Sequence, residues 1–591
     1  MDLDIRKYYS TKFRDTAKSG LTPDDYIEYY KYIKDRYGVD IDFFENAPDT
    51  LVCDPVTSLN RVVQVRAVKM HLKDAKSNLT RAINDKNKKE IKVCSDIIVD
   101  LEKTVHNFAE EDKRWAGRKF PLPNLKPGDL DKILSDNIPE NFCLFPFTQM
   151  NIDPDGRVRP CCKWAITTER NAENFSTDSL VNKNVQELFD QPYVEEVKKQ
   201  FLRGEKPKAC KACWDEEDSG LESIRVMEQD GGKRFPIATW FHHIPTDAPR
   251  SLDLKLSSIC NNKCRICSPF LSSKWLQEHE DLGSVKEDVL KGYRLNAKEK
   301  FMTNPENIEI LKHWAPKIRK IQFFGGEPLL QAEHNLILKT IVEEGNAENT
   351  ILYYNTNGSI YDDEICKYWE SFGHVNLNYS IDDIGKRFDY ERHPAKYVEV
   401  MDNVRKYNEY VFTDDRVRDK LITSKKYFNR FYYNGTGSML SAEGMKQRGM
   451  KISMINRFYI TIGVFNIYYL DEILNELITR YNFPLQFNPV HFPRHYAPHI
   501  LPNKLKDIIK KKLTEPTFVE KMNNKYIICD ASRTQNVNEE INNIINFMYS
   551  SPENPGFIKE ALRTIKIHDD YRNESFGEVF PEIYEFLKEY E

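Results

Sequence analysis

The sequence predicts an α/β fold in which six parallel strands, separated by helices, close partly into a barrel behind a small hairpin module and an N-terminal helical domain. Beyond Pro249, short extended runs alternate with amphipathic helical stretches, and ahead of that point helical periodicity gives way to a turn flanked by cysteines. Length agrees, since 591 residues call for several packed units.

Residues 1–135 read as helix, because DDYIEYYKYIKDRY and CSDIIVDLEKTVHNFAEE repeat apolar positions at three and four with charge between them. A scaffold or partner-docking domain is expected there, bounded by the Pro-rich joint FPLPNLKPGD. From Phe142, two extended runs flank Asp153-Pro154-Asp155-Gly156, a tight-turn sequence, so a hairpin with cysteines at its ends is expected. A helical stretch, VQELFDQPYVEEVKKQFLRG, then leads to Cys210 and Cys213 within a module spanning 136–245. The barrel takes 246–505, with strands expected at 251–257, 320–324, 350–354, 375–380, 457–465 and 484–488. Residues 411–452 exceed what a connection needs and form an insertion, and a helical tail at 506–591 is expected to pack back on the barrel.

Charged residues make up 30% of the chain and the formal net charge is -5, which gives no overall attraction to nucleic acid or anionic membranes. Any nucleic-acid contact must be local. No apolar run reaches the roughly 18 to 20 residues that would span a bilayer, and MDLDIRKYYSTKFRD lacks a secretion signal. The expectation is a cytoplasmic protein without a membrane partner. Eight of the twelve cysteines fall between Cys143 and Cys267, a clustering that suits metal ligands better than a disulfide framework.

Cys260, Cys264 and Cys267, in the loop CNNKCRIC, directly follow the first barrel strand. Thiolates at this spacing can converge on one cubane cluster. Three protein ligands leave one iron open, and an open position turns a metal centre into a reagent. Zinc held jointly with Cys210 and Cys213 is the alternative, but about fifty residues separate the two pairs, against about 15 to 20 in zinc ribbons.

CxxxCxxC after the first strand of a repeating strand-helix domain resembles the radical S-adenosylmethionine (SAM) superfamily, over roughly residues 140–505. The resemblance implies a partial (β/α)6 barrel of that type and a 4Fe-4S cluster on the three cysteines. It further implies S-adenosyl-L-methionine chelated to the open iron, cleavage by one electron, and a 5'-deoxyadenosyl radical that abstracts hydrogen from substrate. Ile266 matches the apolar position near the adenine in relatives. An electron donor such as flavodoxin or ferredoxin is the implied partner.

Gly325, Gly326, Glu327 and Pro328 end the second strand. Glycines admit a ligand to the backbone, and a carboxylate there can pair with a cationic amine. An ordinary strand-to-helix turn would read the same, but sixty residues after the cysteine loop GGEP resembles the family's methionine-binding motif. Asn357, in the turn after the third strand, is similar to a polar residue bordering the cofactor in relatives. Ser380 and Asp382, on one face at the end of the fourth strand, resemble ribose- or carboxylate-contacting residues, with helix capping by Asp as the alternative. Thr461 and Asn466 are further candidates on the fifth strand, whose family glycine motif is not matched here.

Cys143 and Cys161, on either side of Gly156, followed by Cys210 and Cys213, resemble the ligand pattern of a twitch domain, the shorter relative of the SPASM domain. A second 4Fe-4S cluster is implied. Cys162 cannot face the same way as Cys161 in an extended segment, and Cys161 is assigned. Zinc on the same four thiols is the alternative. In most relatives this module follows the barrel, whereas here it precedes it. Four cysteine ligands would favour electron transfer or structure; three would leave an iron for substrate.

The resemblance implies a peptide or small polar substrate. In the insertion, Arg416, Arg418, Lys425, Lys426 and Arg430 interleave with Tyr427, Phe428, Tyr432 and Tyr433, a pattern that could grip a phosphate-bearing substrate, with a solvated loop as the alternative. The competing readings of the chain are a two-cluster electron carrier and a zinc-bearing nucleic-acid module.

Overall fold

The computed structural model describes residues 141–164, 179–218, 223–226, 248–298, 300–412, 450–481, 483–523, 526–528 and 534–591, with Lys76 and Ser95 besides. The expected N-terminal helical domain, apart from those two residues, and the charged and aromatic residues of the 411–452 insertion, Arg416 to Tyr433, lie outside the described residues.

The chain divides into two compact units, Met1–Leu144 with Lys198–Thr246, and Phe145–Val197 with Asp247–Glu591. In the first, the helix Lys211–Asp218 carries Cys213 and Trp214. Phe201 packs edge-on against Phe142 and tilts against Trp214. Arg225 stacks 4.9 Å over Trp214 and donates to the Phe142 carbonyl at 2.8 Å, so the chain beside Cys143 and the helix bearing Cys213 share one small core.

The second unit is built on one ten-stranded sheet. Its strands are β1 (Gln149–Ile152), β2 (Val158–Arg159), β3 (Ser251–Leu254), β4 (Lys320–Phe323), β5 (Ile351–Thr356), β6 (His374–Ser380), β7 (Met454–Ile462), β8 (Leu485–Pro489), β9 (Tyr526–Ile528) and β10 (Thr534–Asn536). From β3 to β8 each strand pairs in parallel with the next in sequence, as the alternation with helices predicts. The sheet stays open, because its ends carry the antiparallel strands β2 and β10. An open parallel sheet of this kind is the partial barrel expected.

The hairpin β1–β2 forms about the Asp153 turn, but β1 also pairs in parallel with β3, level from Gln149 with Ser251 to Ile152 with Leu254. The segment expected to stand apart as a module therefore extends the barrel sheet by two strands. Apolar alternation explains the outer layer: Leu252, Ile321, Leu352, Val375 and Phe458 are buried in a single core. Local chemistry starts the covering helices. Asp362 caps Asp363–Trp369 by accepting from the Glu364 and Ile365 amides, and Asn304 caps Pro305–Trp314, which opens on proline. No helix among the described residues is long and apolar enough to cross a membrane.

Candidate active site

The cysteine loop leaves the C-terminal end of β3, where parallel α/β sheets gather their chemistry. Burial pushes the Cys260 thiol up to about 12, helped by the charge of Cys264. Burial does the same to Cys267, also to about 12, with contributions from Cys264 and Cys260. Cys264 is buried, and Cys260 and Cys267 are half-buried. Among the described residues no three His, Cys, Asp or Glu side chains could hold a single metal ion. Desolvated thiols surrender their protons only to a strong cation, which a cluster provides.

The GGEP turn lies directly against this loop. Gly326 has φ 55°, and a Cβ there would fall 2.3 Å from the Ile259 carbonyl oxygen; one on Gly325, φ 69°, would fall 2.9 Å from Lys255 Cβ. Only glycine combines that conformation with so close an approach. The Glu327 amide donates to the Ile259 carbonyl at 2.8 Å, completing the clasp between turn and loop.

The Glu327 side chain is turned inward. Fully buried, it accepts from Thr356 Oγ1 and the Asn357 amide, both at 2.8 Å, and from the Leu329 amide at 3.3 Å. Burial pushes its carboxyl up to about 7 against those donors. Its carboxylate ties the end of β4 to the end of β5, and Pro328, also buried, opens the short turn it caps. Asn357 continues the connection: Nδ2 donates to Asn261 Oδ1 at 2.8 Å and reaches Cys260 Sγ at 3.9 Å. Ile266 is half-buried against the core.

Ser380 is half-buried at the end of β6. Asp382, 1% exposed, accepts from the Thr461 amide at 2.8 Å and pairs with Arg392 at 2.6 Å. The following helix Gly385–Glu391 begins at Ile384 without a side-chain cap, so Asp382 is not its cap. Asn466 donates to the carbonyls of Asp382 and Thr461, stitching β6 to β7.

Two sets of residues that sequence reasoning missed complete the site. Arg392 places Nη1 3.8 Å from Cys264 Sγ while its other arm holds Asp382, putting a cation beside a cluster thiol. The tail supplies the second set. Arg265, between two of the cysteines and with its side chain fully buried, pairs with Asp569 at 2.6 Å and Glu574 at 2.5 Å and stacks on Tyr390 at 3.9 Å. Lys263 meets Glu278 at 2.6 Å, and His568 and Arg572 of the tail helix Pro555–Arg572 bond the same carboxylate. Although burial opposes it, His568, Lys263 and Arg572 hold Glu278 well below the usual carboxylate range. No sequence signal marks the pairs that reach the tail, because each of those spans about three hundred residues.

Of the auxiliary cysteines, Cys143, Cys210 and Cys213 lie in the first unit and Cys161 in the second. Cys143, Cys161 and Cys213 are buried, Cys210 is half-buried and Cys162 is exposed.

Cysteine loop, glycine clasp and open parallel sheet define an iron–sulfur protein of the radical SAM class. Residues 254–418 match the radical SAM superfamily and residues 143–214 match an iron–sulfur cluster-binding domain, SPASM. Residues 254–418 are thus a radical SAM domain, with a SPASM-type iron–sulfur module ahead of it. These domains imply a 4Fe-4S cluster with SAM in the barrel and an auxiliary cluster in the module. No curated protein matches. Among solved structures, native anSMEcpe with bound AdoMet is similar at 17% identity and a TM-score of 0.26, covering 44% of this chain and 58% of that one. The same protein with AdoMet and the Cp18Cys peptide gives 15% and 0.25, over 44% and 56%. The chain thus spans under two thirds of the length of these structures.

Proposed function

We propose that the chain cleaves S-adenosylmethionine reductively and directs the resulting radical at a peptide or small polar substrate. The observation that carries this reading is the clasp of GGEP around the cysteine loop, with three coupled thiols on one side and Glu327 locked beneath. Bound to Cys260, Cys264 and Cys267, the cluster would supply the electron that splits a carbon–sulfur bond of SAM into methionine and a 5'-deoxyadenosyl radical.

The remaining roles belong to side chains. Gly325 and Gly326 let the turn close on the cysteine loop beside the methionine end, with Glu327 and Pro328 fixing the turn. Asn357 borders the cluster loop, Ile266 offers an apolar surface for adenine, and Ser380 and Asp382 stand where the ribose or carboxylate would lie. Arg392 sets a positive charge at the Cys264 sulfur. Cys143, Cys161, Cys210 and Cys213 would hold the auxiliary cluster within a 136–245 module, and a flavodoxin or ferredoxin in the cytoplasm would supply electrons.

The test is anaerobic reconstitution of the full chain, reduction, and assay for 5'-deoxyadenosine. Product from the wild type and none from Cys264→Ala is expected. A fully loaded wild type that forms none overturns the reading.

A further inference from the structure

Parallel strands covered on both faces read as near-continuous apolar runs. Here β5, β6 and β7 alternate instead. Tyr354 and Tyr379 pack outward on Trp369 and Tyr407 of the covering helices, so Asn355, Asn376, Asn378 and Arg457 face the barrel interior. Asn355, Asn378 and Arg457 stand level across three neighbouring strands, and Asn378 Nδ2 donates to Asn355 Oδ1 at 3.1 Å.

Arg457 is the anomaly in this layer. It is 3% exposed, and no carboxylate among the described residues forms an ion pair with it. Burial together with the Arg457 charge holds the neighbouring His374 imidazole down at about 4, neutral at physiological pH. Arg457 Nε, Asn376 Nδ2 and Asn378 Oδ1 are buried without any hydrogen-bond partner. A buried cation with unmet polar neighbours is costly unless a ligand completes it.

We propose that this interior layer binds the anionic group, carboxylate or phosphoryl, of the substrate, Arg457 pairing its charge and Asn376 Nδ2 donating a hydrogen bond to it. The proposal rests on the radical SAM reading and narrows its substrate. Arg457 lies two residues before Tyr459, which is level with Ser380, so the anion would sit about 7 Å below the strand ends that frame the cofactor. The reactive carbon of an extended substrate would then point up toward the cysteine loop.

The experiment is thermal melting of the reconstituted full chain without SAM, in millimolar phosphate or acetate against chloride at matched ionic strength. The wild-type midpoint should rise by about 2 °C or more with at least one of the two anions. Phosphate alone assigns a phosphoryl group, acetate alone a carboxylate. Arg457→Met should melt higher than wild type without anion and lose the response. Asn378→Asp, which supplies an internal partner, should lose it too. Equal stabilisation of wild type and both variants, or no stabilisation of the wild type by either anion, overturns the proposal. Because the readout needs no turnover, failure to form 5'-deoxyadenosine would sink the parent reading separately.

Discussion

Arg265 and Asp569, 304 residues apart in sequence, meet at 2.6 Å beneath the cysteine loop. Glu574 and Tyr390 complete the cage around that guanidinium, so the tail helps hold the loop in shape.

Arg265→Met should therefore cost about 3–5 kcal/mol of stability, since it leaves two acids without their buried partner. Iron retained per chain should fall with it. Denaturant unfolding and iron analysis check both, and wild-type iron content in this variant would show that the cage is dispensable.

Gly326→Ala should be far more damaging than Gly345→Ala. Both glycines have positive φ, 55° and 73°, but only Gly326 has a backbone oxygen where its Cβ would go, whereas nothing lies within 4 Å at Gly345. About 3 kcal/mol is expected at position 326 against about 1 at position 345. Melting of the two variants decides it, and equal losses would contradict the close approach of turn and loop.

Arg392→Met removes the cation 3.8 Å from Cys264 Sγ. Positive charge favours the reduced cluster, so the midpoint potential should move negative by about 60 mV, a tenfold effect for one electron. A redox titration followed by electron paramagnetic resonance reads the shift. An unchanged potential would place the guanidinium outside the cluster's field.

Glu333 carries a pH signature of its own. It is buried, accepts from the Met302 amide at 2.6 Å, and burial pushes its carboxyl up to about 7 from 4.5. Between those values the folded chain holds a proton that the unfolded chain has lost, so stability falls as pH rises through this window. Glu333→Gln should flatten that part of the slope. Unfolding of both proteins across the window checks it, and parallel slopes would contradict the assignment.

Much of this was legible in the sequence. The six barrel strands were, because KIQFF and VNLNYS place apolar residues every second position. The cysteine loop and GGEP were, because spacing and glycine carry their own geometry. Pairing of β1 with β3 was not, since Gln149–Ile152 has no local feature that selects a partner strand. The inward turn of Glu327 was hidden for a like reason: its donors Thr356 and Asn357 lie on another strand end. Arg392 and the tail acids look like ordinary surface charge until the fold brings them to the cysteines. The polar interior went unread, because the alternation in LYYNT and NRFYITI does not say which face of a strand turns inward until the sheet and its covering helices are in place.

The central claim is an iron that no side chain occupies, open to SAM, on the loop of Cys260, Cys264 and Cys267. Electron paramagnetic resonance of the reduced, reconstituted chain with and without SAM tests it most directly. The wild-type cluster signal should change shape when SAM is added, while the triple Cys→Ala variant at 260, 264 and 267 should show only an auxiliary signal indifferent to SAM. A wild-type spectrum unmoved by SAM, or a triple variant that responds as the wild type does, would contradict the account.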